Sequence, residues 1–129
     1  TAKYVNVLSW LTDFIRSAAF LESARQEPRY FTRERELTFT HLIAFLLSGV
    51  RGAVQGELDA FFAHLTRRSR LCRVITASAF SKARSRLRAD VFDQLNTALL
   101  RRVDDILPDQ PRWQGLRVLA ADASKVRLT

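Results

Sequence analysis

Arg67, Arg68, Arg70, Arg73, Lys82, Arg84, Arg86 and Arg88 crowd into residues 66–88, TRRSRLCRVITASAFSKARSRLR, with no acidic residue among them. The chain has 21 Lys+Arg against 13 Asp+Glu, so removing these eight leaves 13 basic against 13 acidic residues elsewhere. The whole formal excess of +8 therefore sits in one stretch. Cations at this density can neutralise phosphates or reach guanine edges, and the small hydroxyls of Ser81 and Ser85 between them permit close approach. A basic loop leading into a short basic helix is the footprint of a surface that grips a polyanion.

A second candidate is Asp122, in Ala121-Asp122-Ala123-Ser124 after the apolar run Leu116–Ala121. An unpaired carboxylate inside an apolar strand is costly to bury. Either a metal ion compensates it, or Asp122 ends the strand and caps a turn with Ser124. His41 and His64 have no ligand partner at helical spacing and read as structural or exposed. Cys72 is the single cysteine, which excludes an intramolecular disulfide and a cysteine zinc cluster and reads as a small apolar residue. No apolar run approaches the ~20 residues of a membrane span. Nucleic acid comes before an anionic membrane as the partner of a chain with pI near 11.0.

These side chains need elements to position them, and the periodicity predicts about five helices. Val5, Leu8, Leu11, Phe14 (or Ile15), Ala18 and Leu21 form one stripe over residues 4–25. Pro28 breaks it. Residues 28–37, PRYFTREREL, read as a connector that packs Tyr30 and Phe31 against a neighbour; Arg29, Arg33 and Arg35 alternate with Glu34 and Glu36, which favours a solvated link over DNA contact. Thr38 can cap a helix over 39–51, with Phe39, Leu42, Ile43, Leu46, Leu47 and Val50 on a wide buried face. A third helix covers 54–65, with Leu58, Phe61, Phe62 and Leu65 on one side. Leu71, Val74 and Ile75 anchor the basic loop. Thr76 or Ser78 caps a fourth helix over 79–88, with Phe80, Ala83 and Leu87 facing inward and Ser81, Lys82, Ser85 and Arg86 outward. Arg84 and Arg88 fall on its flank. Asp90 starts a fifth helix, which runs to 107, where PDQPRWQG at 108–115 reads as a linker.

After Gly115, residues 116–121 are β-permissive and read as a strand buried on both faces. A lone strand is not stable, so its sheet is expected beyond Thr129. There is no Met, at position 1 or elsewhere, so the chain is expected to begin mid-protein or to be processed. The expected organisation is a mainly α helical domain at 1–107, a linker at 108–115, and the first strand or strands of a further α/β domain at 116–129.

In order, FTRERELTF, GELDAFF, TASAFSKARSRL, VFDQL and WQGLRVLAADASKVRL resemble the N-terminal portion of bacterial insertion-sequence transposases of the IS-four group. The resemblance spans about 29–128. It implies a helical DNA-binding domain ahead of an RNase H-like catalytic domain with an Asp-Asp-Glu triad, whose first Asp matches Asp122. It also implies Mg²⁺, because such enzymes cut DNA by in-line attack at phosphorus between two carboxylate-held ions. Ala123 stands where the family usually has Gly, and Thr129 where it often has Pro.

On this resemblance the full-length protein binds double-stranded DNA at transposon terminal repeats and carries out Mg²⁺-dependent cleavage and strand transfer. The 129 residues alone, with one triad carboxylate, are expected to be inactive. Self-association in a transposition complex and a cytoplasmic, nucleoid-associated location follow from the same resemblance. The expected DNA contacts are Arg67, Arg68, Arg70, Arg73, Lys82, Arg84, Arg86 and Arg88 on phosphates, with Ser81, Lys82, Ser85 and Arg86 reaching base edges. The alternative is a non-catalytic helical DNA-binding regulator or transposition inhibitor derived from a truncated transposase. A third reading is a protein-binding helical bundle whose basic window faces solvent or an acidic partner.

Overall fold

In the computed structural model the described residues are 2–33, 35–67, 73–106, 112–118 and 120. They form six helices, α1 (Ala2–Arg16), α2 (Ala18–Ala24), α3 (Phe39–Ser48), α4 (Val54–Leu65), α5 (Ala77–Ser85) and α6 (Val91–Ile106). A two-stranded hairpin follows, β1 (Arg112–Trp113) and β2 (Leu116–Arg117). The mainly helical expectation is met.

The single helix expected over 4–25 is two, broken at Ser17. Ser17 is extended (φ −71°, ψ 143°) and its hydroxyl accepts from the Phe20 amide at 3.2 Å, so it caps α2. The same hydroxyl donates to the Phe14 carbonyl at 2.7 Å, which the Ser17 amide also meets at 3.1 Å, closing the end of α1. The break swings Phe20 into the core, its ring 4.9 Å from Phe14 and 5.6 Å from Phe39.

α3 is capped by Thr38, whose hydroxyl accepts from the His41 amide at 3.2 Å. It stops at Ser48 because Gly49 takes φ 77°, a left-handed setting that suits a residue without Cβ. Phe39, Leu42 and Ile43 are buried as expected, but Leu47 and Val50 are exposed. Phe45 is buried in their place. Its ring meets Phe61 of α4 at 5.5 Å and Phe80 of α5 at 5.1 Å, both edge-on. This aromatic junction joins three helices, and edge-to-face pairs of this kind contribute about 0.5–1.5 kcal/mol each beyond the area they bury.

α4 matches its expected span. Leu58 and Phe62 are buried and Phe61 packs against the core, while Leu65 is exposed. The segment after α2 packs as expected, with Phe31 edge-on to Phe39 at 5.5 Å.

The C-terminal part departs from its reading. The strand expected to be buried on both faces is, among the described residues, an exposed hairpin in which Arg112 pairs with Arg117 and Trp113 with Leu116. Leu116 is 66% exposed and Val118 56%. Gln114 (φ 50°) and Gly115 (φ 80°) both turn left-handed, the setting of a two-residue hairpin turn whose twist matches its strands. Thus part of the expected linker is strand and turn.

Candidate nucleic-acid interface

α5 is the element that presents the basic stretch, and its sequence explains where it starts and stops. Thr76 is extended and its hydroxyl accepts from the Ala79 amide at 3.2 Å, so of the two candidate caps Thr76 is the one used. The helix begins two residues earlier than expected and ends at Ser85, so Arg86, Leu87 and Arg88 lie beyond it.

Three attachments hold α5. Phe80 is 2% exposed and supplies the ring on Phe45. At the N-terminus, the Gln55 side chain of α4 donates to the Ile75 carbonyl at 2.8 Å and accepts from the Ala77 amide at 2.8 Å. Its amide also donates to Asp59 at 2.9 Å. At the C-terminus, residues 24–26 run antiparallel to 86–88. The Gln26 amide donates to the Arg86 carbonyl at 3.0 Å, the Arg88 amide to the Ala24 carbonyl at 2.7 Å, and the Gln26 side chain to the Leu87 carbonyl at 2.8 Å. The Ala77 N–H is a group a short helix leaves unpaired at its start, and the carbonyls of Arg86 and Leu87 lie just past its end; other segments satisfy all three.

With Phe80 and Leu87 buried, the opposite side of α5 faces outward: Ser81, Lys82 and Ser85 are all exposed. The Ser85 hydroxyl donates to the Lys82 carbonyl at 2.7 Å, so its proton is committed and it offers a ligand only acceptor capacity. Arg84 is exposed and folds back so that its guanidinium lies 5.8 Å from the Phe80 ring centre. Lys82 and Arg84 in the last turn also suit the negative end of the helix dipole.

Arg67 and Arg73 are exposed on either side of residues 68–72; Arg68 and Arg70 lie outside the described residues. Arg67 takes φ 54°, a left-handed setting just past the end of α4. Val74 and Ile75 pack into the core as the expected anchors.

Arg86 was expected on the outward face and is not there. Past the helix end it turns back, half-buried, with its guanidinium 5.2 Å from the centre of the Tyr30 ring. Arg88 is exposed and contacts Asp90 at 3.4 Å. The Gln94 side-chain amide, and after it the Arg88 charge, holds the Asp90 carboxyl below its ordinary range.

Gln55 and Tyr30 are the positioning residues that sequence reasoning passed over. Tyr30 read as a packing aromatic, and Gln55 is a polar residue at the second position of α4, which by itself does not announce a partner.

Asp122 lies outside the described residues, and so does Cys72. His64 is exposed; His41 is half-buried, edge-on to Phe62 at 6.1 Å, with its Nδ1 buried and unpaired among the described residues. Among the described residues no group of three His, Cys, Asp or Glu side chains could hold a metal ion. No helix there is long and apolar enough to cross a membrane. No family model, curated protein or solved structure matches this chain.

Proposed function

We propose that the helical portion of this chain binds double-stranded DNA through α5 and the cations that flank it, as the DNA-binding part of an insertion-sequence DDE transposase. The observation that carries the reading is the division of α5: Phe80 anchors it in the aromatic core while Ser81, Lys82 and Ser85 stand outward, in a stretch without one acidic residue. A short helix with small hydroxyls around a lysine can approach a groove closely, and Arg67, Arg73, Arg84 and Arg88 frame it where a phosphate backbone would pass. Lys82 then reaches a base edge or phosphate, and Ser85 accepts from a base amino group.

In this reading the resemblance assigns Asp122 to the first carboxylate of an RNase H-like catalytic domain, which in the longer protein holds Mg²⁺ with the remaining triad members. Terminal repeats of the mobile element are the proposed target. The helical portion contributes binding and placement of the DNA end, and the cleavage chemistry belongs to that further domain.

The test is a gel-shift titration of duplex DNA with the chain and its Lys82→Glu/Arg84→Glu variant. The variant should bind about tenfold or more weakly at moderate salt, with its helical content unchanged, because two cations that neutralise phosphates become repulsive. Equal affinity would remove α5 from the interface.

A further inference from the structure

Residues 25–30 bring a second set of cations against the end of α5. Arg29 and Arg86, on opposite sides of the joint, both address the Tyr30 ring, at 5.4 Å and 5.2 Å from its centre. The turn that carries Arg29 and Tyr30 is fixed from three directions. The Tyr30 amide donates to the Glu27 carbonyl at 3.0 Å, Arg25 donates to the Tyr30 carbonyl at 3.0 Å, and the Gln26 amide donates to the Arg86 carbonyl at 3.0 Å. An open cleft of about 380 Å³, lined by Gln26, Arg88, Ala89 and Asp90, adjoins the same joint.

From these contacts we infer that Arg29, Tyr30 and Arg86 form a phosphodiester clamp, separate from the outward face of α5, that holds the DNA backbone where residues 25–30 meet the end of that helix. The inference rests on the proposed DNA-binding reading and adds to it a site that the charge pattern of residues 28–37 argued against.

Two guanidiniums gathered around one ring concentrate positive charge there and create a demand for an anion. Glu27 meets part of it, at 2.6 Å from Arg29. Arg86 has no carboxylate partner among the described residues. An arginine engaged with a ring can still offer its N–H fork, the edge that matches two phosphate oxygens. Tyr30 holds that fork in place before the ligand arrives, which lowers the ordering cost of binding. Tyr30 and Glu27 together hold the Arg29 guanidinium more firmly charged than usual. A ring already engaged by two guanidiniums is a poor platform for stacking an unpaired base, which favours backbone over single-stranded base recognition.

The experiment measures the affinity of a duplex of arbitrary sequence between 50 and 200 mM salt, the range over which phosphate contacts are resolved by their counterions. Each phosphate contact contributes about 0.9 to the slope of log K against log salt. Arg29→Gln/Arg86→Gln should lower the slope by about 1.8 while circular dichroism stays that of the parent. If the double variant loses structure, Arg29→Gln alone, at an exposed side chain, should lower it by about 0.9. Tyr30→Leu should weaken binding several-fold at unchanged slope, since the charges remain and only their placement is lost. Inorganic phosphate should displace DNA no better than chloride at matched ionic strength.

An unchanged slope in Arg29→Gln/Arg86→Gln, with a reduced one in Lys82→Gln/Arg84→Gln, would overturn the clamp and leave the α5 interface standing. Displacement by inorganic phosphate beyond the salt effect would replace the clamp by a free-phosphate site. Failure of the parent chain to bind DNA at low salt would remove both.

Discussion

Arg86 and Gln55 are polar residues whose roles were set by atoms outside their own helices. Arg86 falls on the outward face only if α5 continues to residue 88. The helix stops at Ser85, and the side chain then finds Tyr30 instead. Gln55 supplies both halves of its amide to the loop and first residue of α5. Replacing it by Leu leaves the Ala77 N–H and the Ile75 carbonyl unpaired in a half-buried setting, at about 1–3 kcal/mol. Chemical denaturation should register that loss as a lower midpoint at constant m-value. Asp90 gives a pH prediction. Its carboxyl is held below the ordinary range, so its contribution to stability is complete above the unfolded value and is lost as pH falls through the folded one. Carbon-detected NMR titration should find Asp90 titrating below ordinary aspartates. Gln94→Ala should raise that value more than Arg88→Ala, since the Gln94 hydrogen bond is the larger influence.

At the scale of elements, the helices differ in how openly the chain declares them. α4 was legible to its ends, because its apolar positions recur at helical spacing and Gly52 and the basic loop bound it. The Thr76 cap of α5 was legible as one of two hydroxyls in the right place. The break at Ser17 was not, since the apolar stripe from Phe14 through Ala18 to Leu21 runs through it unaltered. Only the Ser17 hydroxyl, bonded in both directions, distinguishes two helices from one. Phe45 escaped notice because the stripe was drawn through Leu46 and Leu47, whereas the neighbours α4 and α5 approach the side of α3 that carries Phe45. Burial there makes Phe80 the residue on which α5 depends. Phe80→Ala should cost about 3–5 kcal/mol, enough to release α5 while much of the far-UV helical signal remains. Thr76→Ala should cost about 1 kcal/mol through loss of the cap. Thermal unfolding of the two variants should rank them in that order.

Across the described residues, Arg29, Arg86 and Arg88 meet at the joint between residues 24–30 and the end of α5. α5 packs against α3 and α4 on one side and is followed by residues tied to 24–26 on the other, so a helix of nine residues is held at both ends. Periodicity located that helix and its sign of charge; it could not supply the neighbour that carries Tyr30, because that contact links segments far apart in the chain. The measurement closest to the central claim is the salt dependence of duplex DNA binding by the unmodified chain. With at least four cations of the 66–88 stretch on phosphates, log K should fall against log salt with a slope of about −3.6 or steeper, and Lys82→Gln/Arg84→Gln should flatten it by about 1.8. A slope near zero, or one that those two substitutions leave untouched, would contradict the account.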